Sequence, residues 1–182
     1  MKMIFLGLVM FAATAAGAQT DKGDLMVGGN AGFRTNKGYS DITLSPNVGY
    51  FFGNNFAAGA NLNLSFNKTG DVKTTTLGLG PFARYYIGHR NFTPFAVVET
   101  NYLLSNTKDA TTKLNSSGVG FLAGIGGAAF INQSVAFETI AGYNHSSLSG
   151  TVSNGFSLRF GFQVYLTRNR VEALRGRQFN RQ

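Results

Sequence analysis

Apolar and small or polar side chains alternate along this chain in segments of about ten residues, and the two-residue rhythm recurs roughly eight times. In the stretch 42–52, one set is Ile42, Leu44, Pro46, Val48, Tyr50 and Phe52. The interleaved set is Thr43, Ser45, Asn47 and Gly49, with Phe51 the exception. Successive side chains of a β-strand point to opposite faces, so a period of two gives one apolar and one polar face. The rhythm predicts strands at 24–34, 42–52, 56–67, 74–87, 93–104, 117–130, 135–145 and 155–166. Between them, the connectors 53–55, 88–92 and 131–134 read as tight turns, whereas 35–41, 68–73, 105–116 and 146–154 read as longer loops.

Eight such strands predict an all-β fold: an eight-stranded antiparallel up-and-down transmembrane β-barrel with a filled polar lumen. The alternation of short and long connectors matches periplasmic turns and outer loops, and an even strand count brings both ends of the barrel to the periplasmic side. A barrel of this size has an interior just wide enough for side chains to fill, so a diffusion pore is not expected. A soluble lipocalin-like barrel also alternates, with its apolar face inward and its charged face in water. The polar set separates the two readings. It holds Gly28, Asn30, Gly32, Asn47, Asn61, Asn63, Gly78, Gly80, Gly120, Gly124 and Gly161, which suit a crowded lumen better than a water-facing exterior. The opposite set, including Leu62, Leu64, Phe66, Leu77, Leu79, Phe121, Ile125, Phe137, Leu158, Phe160 and Phe162, suits hydrocarbon.

The amino-terminal residues predict export. Lys2, the apolar run 4–13 and the small residues Ala16, Gly17 and Ala18 form a secretory signal at 1–18, with the mature chain expected from Gln19. The barrel then occupies 19–166, and 167–182 is an expected basic periplasmic tail. No later stretch approaches the ~20 apolar residues a membrane helix requires, so any crossing must be made by strands. With no cysteine, the chain has neither a disulfide framework nor a thiolate metal site. The formal charge of +8 is concentrated at Arg168, Arg170, Arg175, Arg177 and Arg181, not on an aromatic-studded face, so nucleic acid is not an expected partner. No cofactor or metal is expected, and His89 reads as a solvated turn residue.

Four ionisable residues fall in the polar phase of the strands: Arg84, Glu99, Glu138 and Arg159. Folding the chain about the turn near Asn91 sets Arg84 opposite Glu99, and folding about the loop near Ser149 sets Glu138 opposite Arg159. These pairs predict two lumenal salt bridges between adjacent strands, since a charge in a dry lumen requires a partner. Pro46 and Pro81 predict a bulge or irregularity, because proline removes a ladder hydrogen bond. In the fifth strand Phe95 and Val97 share a phase with Glu99 and Asn101, which points to a register break. The glycines at 124, 126 and 127 lie within a strand with no following helix, so they read as relief of crowding rather than a phosphate loop.

The stretch 42–64, with Pro46-Asn47-Val48-Gly49-Tyr50-Phe51, and the run Gly80-Pro81-Phe82-Ala83-Arg84-Tyr85-Tyr86 resemble the small outer-membrane β-barrel domain proteins of the OmpX and OmpA type. The resemblance spans 24–166 and implies an integral outer-membrane barrel. In the last strand Arg159, Gly161, Val164 and Leu166 resemble the signal read by the barrel-assembly machinery, an expected partner during biogenesis. The chain departs from the family by continuing to Gln182 beyond that strand. His145-Ser146-Ser147 is faintly similar to the His-x-Ser of outer-membrane lipid A deacylases, but the next acid is Glu172 and Glu138 lies in the opposite phase, so no triad forms. The expected role is therefore structural, in envelope integrity, and not enzymatic. The alternative is binding through outer loops, with Lys37, Tyr39, Lys108 and Lys113 as candidate contacts to lipopolysaccharide.

Overall fold

The computed structural model describes residues 20–36, 39–70, 72–88, 91–108 and 113–167. The expected signal segment 1–18, the tail from 168 onward, Glu172, His89 and Lys37 lie outside the described residues. Alternating residues form β1 (Leu25–Asn36), β2 (Tyr39–Gly53), β3 (Phe56–Thr69), β4 (Val72–Tyr86), β5 (Phe92–Lys108), β6 (Lys113–Phe130), β7 (Val135–Leu148) and β8 (Thr151–Leu166). Each strand pairs antiparallel with its neighbour in sequence, and β1 closes on β8 from Leu25↔Leu166 to Ala31↔Phe160. Closure pairs each strand on both sides through the body of the barrel, so the sheet there has no open edge to recruit another chain.

The strands run further than the rhythm predicts at the end away from the start of β1 and the end of β8. There the connectors shrink to 37–38, 70–71, 109–112 and 149–150, while those at the terminal end are 54–55, 87–91 and 131–134. The expected difference in loop length between the two ends is absent. Its cause is composition: residues such as Ser105, Asn106, Asn115 and Ser116 are polar on both faces, so no alternation marks them, yet Ser105↔Ser116 and Asn106↔Asn115 pair as strand. The 149–150 turn has both residues at positive φ, Ser149 at 46° and Gly150 at 85°, a geometry that matches the twist of the strands it joins.

Both prolines interrupt a ladder without shifting it. The β2–β3 pairing skips from Leu44↔Leu64 to Asn47↔Asn61, and the β4–β5 pairing from Leu79↔Tyr102 to Phe82↔Glu99, each resuming in register. Pro46 still pairs with Gly29 on its other side, and Pro81 with Ala60. The register shift between β2 and β3 falls instead between Phe51 and Gly53. Nor does β5 break. It pairs with β6 from Phe92↔Ala129 to Lys108↔Lys113 without slipping, and its mixed phase faces inward throughout. Phe95, Val97, Glu99 and Asn101 are all buried, while Ala96, Val98, Thr100 and Tyr102 are exposed.

The two faces invert the arrangement of a water-soluble barrel. Among the described residues, thirty large apolar side chains are exposed on the outside, against twelve hydrophobic residues buried within. Leu79 is 61 % exposed, Ile125 71 % and Phe156 80 %, far beyond the apolar patches that soluble monomers leave open.

Candidate functional site

Side chains of the polar phase meet inside the barrel in two layers, each centred on an ion pair. Nearer the terminal end, Arg84 on β4 donates through Nη1 to Glu138 Oε2 on β7 at 2.8 Å, with both side chains essentially excluded from solvent. Tyr165 donates to the other carboxylate oxygen at 2.7 Å, and its hydroxyl lies 3.1 Å from that of Tyr86. The Arg84 guanidinium sits 5.1 Å from the centre of the Phe95 ring and 5.2 Å from that of Phe82. Such contacts offset part of the cost of taking a cation out of water. Met26 and Phe51 complete this layer, also fully buried.

The second layer lies toward the far end. Arg159 on β8 donates to Glu99 Oε2 on β5 at 3.0 Å, and Asn61 Nδ2 donates to the same oxygen at 3.0 Å. Arg159 Nη2 reaches Asn144 Oδ1 at 3.2 Å, and Asn144 in turn donates to Ser157 at 2.7 Å. Beyond this layer polar contacts continue beside Leu103: Thr76 meets Ser105 at 3.0 Å, and Ser65 donates to Asp41 at 2.8 Å. Thr43, Thr76 and Ser157 are half-buried, in contrast to the solvent-free layer below.

The four charges thus share the lumen, but not in the pairs that chain folding suggests. Arg84 stands opposite Val97 rather than Glu99, and Glu138 opposite Gly161 rather than Arg159, an offset of two residues in each case. With a narrow interior, long side chains reach the axis and meet groups three strands away, so the pairs formed are β4–β7 and β5–β8. Asn61 belongs to the polar set that the alternation assigns to the lumen, whereas nothing in the alternation marks Tyr86, Tyr165 and Asn144 as partners of the ions. For Tyr86 and Tyr165 the one available signal is position, since each shares the inward phase with a strand charge, Arg84 and Arg159 respectively.

Small residues make room for this packing. A Cβ placed on Gly49 would fall 2.8 Å from Met26 Cγ and 2.9 Å from Phe82 Cζ, and one on Gly126 would strike the Phe95 ring. On β8, Arg159 and Gly161 face the lumen, whereas Val164 faces outward and pairs with Val27 and Val135, and Leu166 pairs with Leu25. Tyr39 opens β2, opposite Asn36 and Thr69. Lys108 and Lys113 belong to strands rather than loop tips: they end β5 and begin β6, directly opposite each other. His145 lies exposed on the outer face with its Nδ1 2.6 Å from Asn154 Oδ1, so its partner is an amide, and Glu138 is held by Arg84 inside the wall.

The sequence matches no protein-family model and no curated protein. Its structure resembles that of Neisserial surface protein A, with a TM-score of 0.56 and 15 % identity over 79 % of this chain and 95 % of that one. The amino-terminal β-barrel domain of Pseudomonas aeruginosa OprF superposes with a TM-score of 0.53 and 13 % identity, covering 80 % of this chain and 98 % of the domain. The outer membrane protein OprG from Pseudomonas aeruginosa gives 0.53 and 15 %, covering 85 % of this chain and all of that one. The chain therefore has the closed eight-stranded fold seen in small outer-membrane barrels.

Proposed function

We infer that this protein is an integral outer-membrane β-barrel whose role is structural, in the integrity of the envelope, and that it is neither an enzyme nor a diffusion pore. The observation that carries this reading is the inverted barrel. Its outer face is apolar among the described strands, with Leu79, Val98, Ile125 and Phe162 exposed, while the matched ions Arg84–Glu138 and Arg159–Glu99 fill the middle. In water such a surface would drive association, whereas in a bilayer it is the surface that acyl chains solvate. What supports closure to solutes is the solvent-free layer of Phe51, Tyr86, Phe95 and Tyr165 in the lumen. The non-enzymatic reading is supported by His145, whose Nδ1 lies against the Asn154 amide rather than against a carboxylate that would orient a base. The lipid of the outer membrane, lipopolysaccharide included, is then its permanent surroundings. The barrel-assembly machinery would read β8, where Arg159 and Gly161 face inward and Val164 outward.

Migration of membrane fractions on a detergent gel, with and without boiling, tests this reading. A closed barrel in the outer membrane should run as a compact species until heated. Heat-independent migration together with recovery in the soluble periplasmic fraction would refute it. A second reading, adhesion through outer loops, has less to work with: the strand bounds at the far end leave only two to four residues between consecutive strands.

A further inference from the structure

Each of the four strands β3 to β6 carries a lysine at its far-rim end or one residue inside it, and their registers set those lysines side by side. Lys68 pairs with Lys73, Lys73 with Lys108, and Lys108 with Lys113. Four like charges therefore stand in one lateral row across four adjacent strands. Directly opposed like charges on neighbouring strands repel, so an anion brought to the row would be stabilised there. The next residue beyond Lys68 in the row, Ser40, is neutral, and among the described residues no carboxylate joins it. The connecting segments contain Asp71 and Asp109, both outside the described residues.

Phase and height say what that anion is. Lys68, Lys73 and Lys108 are exposed and lie in the same outward phase as Phe66, Leu77 and Leu104. Two residues below the row stand Phe66, Thr75, Asn106 and Asn115, and two residues below those stand Leu64, Leu77, Leu104 and Ser117. At ~3.4 Å of rise per residue, the row lies ~14 Å along the strands above the leucines, reduced by strand tilt. That is the depth of headgroup phosphates when the leucines lie in hydrocarbon.

We propose that the row Lys68–Lys73–Lys108–Lys113 is a binding site for the phosphate groups of a multiply phosphorylated lipid in the leaflet at the far end of the barrel. The proposal rests on the membrane reading above and adds to it a specific lipid chemistry across four of the eight strands of the rim. A compact ammonium group at each position suits phosphate oxygens as a point charge, and lateral spacing of ~4.8 Å between strands lets one headgroup touch more than one lysine. Water-facing loops need not take part, because Lys68, Lys73 and Lys108 are exposed on the strands themselves.

The test uses the mature chain inserted into nanodiscs of zwitterionic lipid, with heat-modifiable migration confirming a closed barrel. Fluorescent bis-phosphorylated lipid A and its dephosphorylated counterpart are titrated into wild type, into the variant Lys68→Gln/Lys73→Gln/Lys108→Gln/Lys113→Gln and into the same four positions changed to Arg. Wild type and the arginine variant should prefer the phosphorylated lipid by about tenfold or more, and the glutamine variant should lose that preference. A closed glutamine barrel that keeps the preference overturns the proposal. Should that variant fail to close, Lys73→Gln/Lys108→Gln carries the same comparison with half the charge removed. Inorganic phosphate is added as a separate arm: displacement of the lipid by millimolar phosphate would show a free-phosphate site and overturn the assignment to a headgroup. Wild type that fails to insert at all refutes the membrane reading, whereas insertion without discrimination refutes only this inference.

Discussion

Arg84 and Glu138 meet at 2.8 Å across the inside of the barrel from strands three apart, and Tyr165 closes on the same carboxylate from β8. This pair ties β4 to β7 where no backbone ladder joins them. Both side chains are out of reach of solvent, so each ion depends on the other for its counter-charge.

Breaking that dependence should be costly. Arg84→Met or Glu138→Gln alone is expected to destabilise the barrel by about 3 to 5 kcal/mol, because an uncompensated buried ion or an emptied partner site is left behind. Replacing both, as in Arg84→Met/Glu138→Leu, should recover most of the loss, since an apolar pair needs no compensation. Urea unfolding of the barrel from lipid vesicles measures all three.

Crowding around the aromatic layer gives a second expectation. Gly49→Val places atoms where Met26 and Phe82 already stand, and should cost about 1 to 3 kcal/mol in the same assay. Gly53→Ala, which meets nothing within 4 Å, should be close to neutral and serves as the control.

The two halves of the lumen should differ in access. A cysteine at Thr43, half-buried above the ion-pair layers, should react with a small water-soluble thiol reagent in the folded barrel. A cysteine at Ala136, fully buried in the terminal half, should react only after unfolding. Equal labelling at both positions would mean that the lumen is open from end to end, against the proposed closure.

Chemistry at the outer wall can be tested with Ser147→Ala. His145 shares the outward phase with Ser147 but contacts Asn154, so the substitution should leave the acylation state of lipid A unchanged when wild type and variant are compared by mass spectrometry of extracted lipid. A change in acylation would reinstate the hydrolase reading.

What could be read from the sequence follows the reach of each signal. Strict alternation around Val48, Leu79 and Phe160 identifies which face each residue takes, because the pleat fixes it locally. The far-end extensions carry no alternation, since Ser105 and Asn106 are both polar, and pairing with Ser116 and Asn115, not hydrophobicity, makes them strand. The ion pairs show the sharper limit. Sequence folding tests only neighbours along the chain, whereas Arg84 and Glu99 find their partners across a lumen whose width depends on all eight strands at once. The lysine row was half visible for the same reason: Lys108 and Lys113 stood out as loop contacts, and only the registers of β3 to β6 join them to Lys68 and Lys73.

The central claim is that the apolar face of the barrel lies against acyl chains. The chain has no native tryptophan, so a single Leu79→Trp reporter on the outer wall and a single Thr76→Trp reporter in the lumen can be compared in vesicles whose acyl chains carry bromine, a contact quencher. The account predicts strong quenching at position 79 and little at position 76. Unquenched emission from position 79, with the protein remaining folded in buffer free of lipid and detergent, would contradict it.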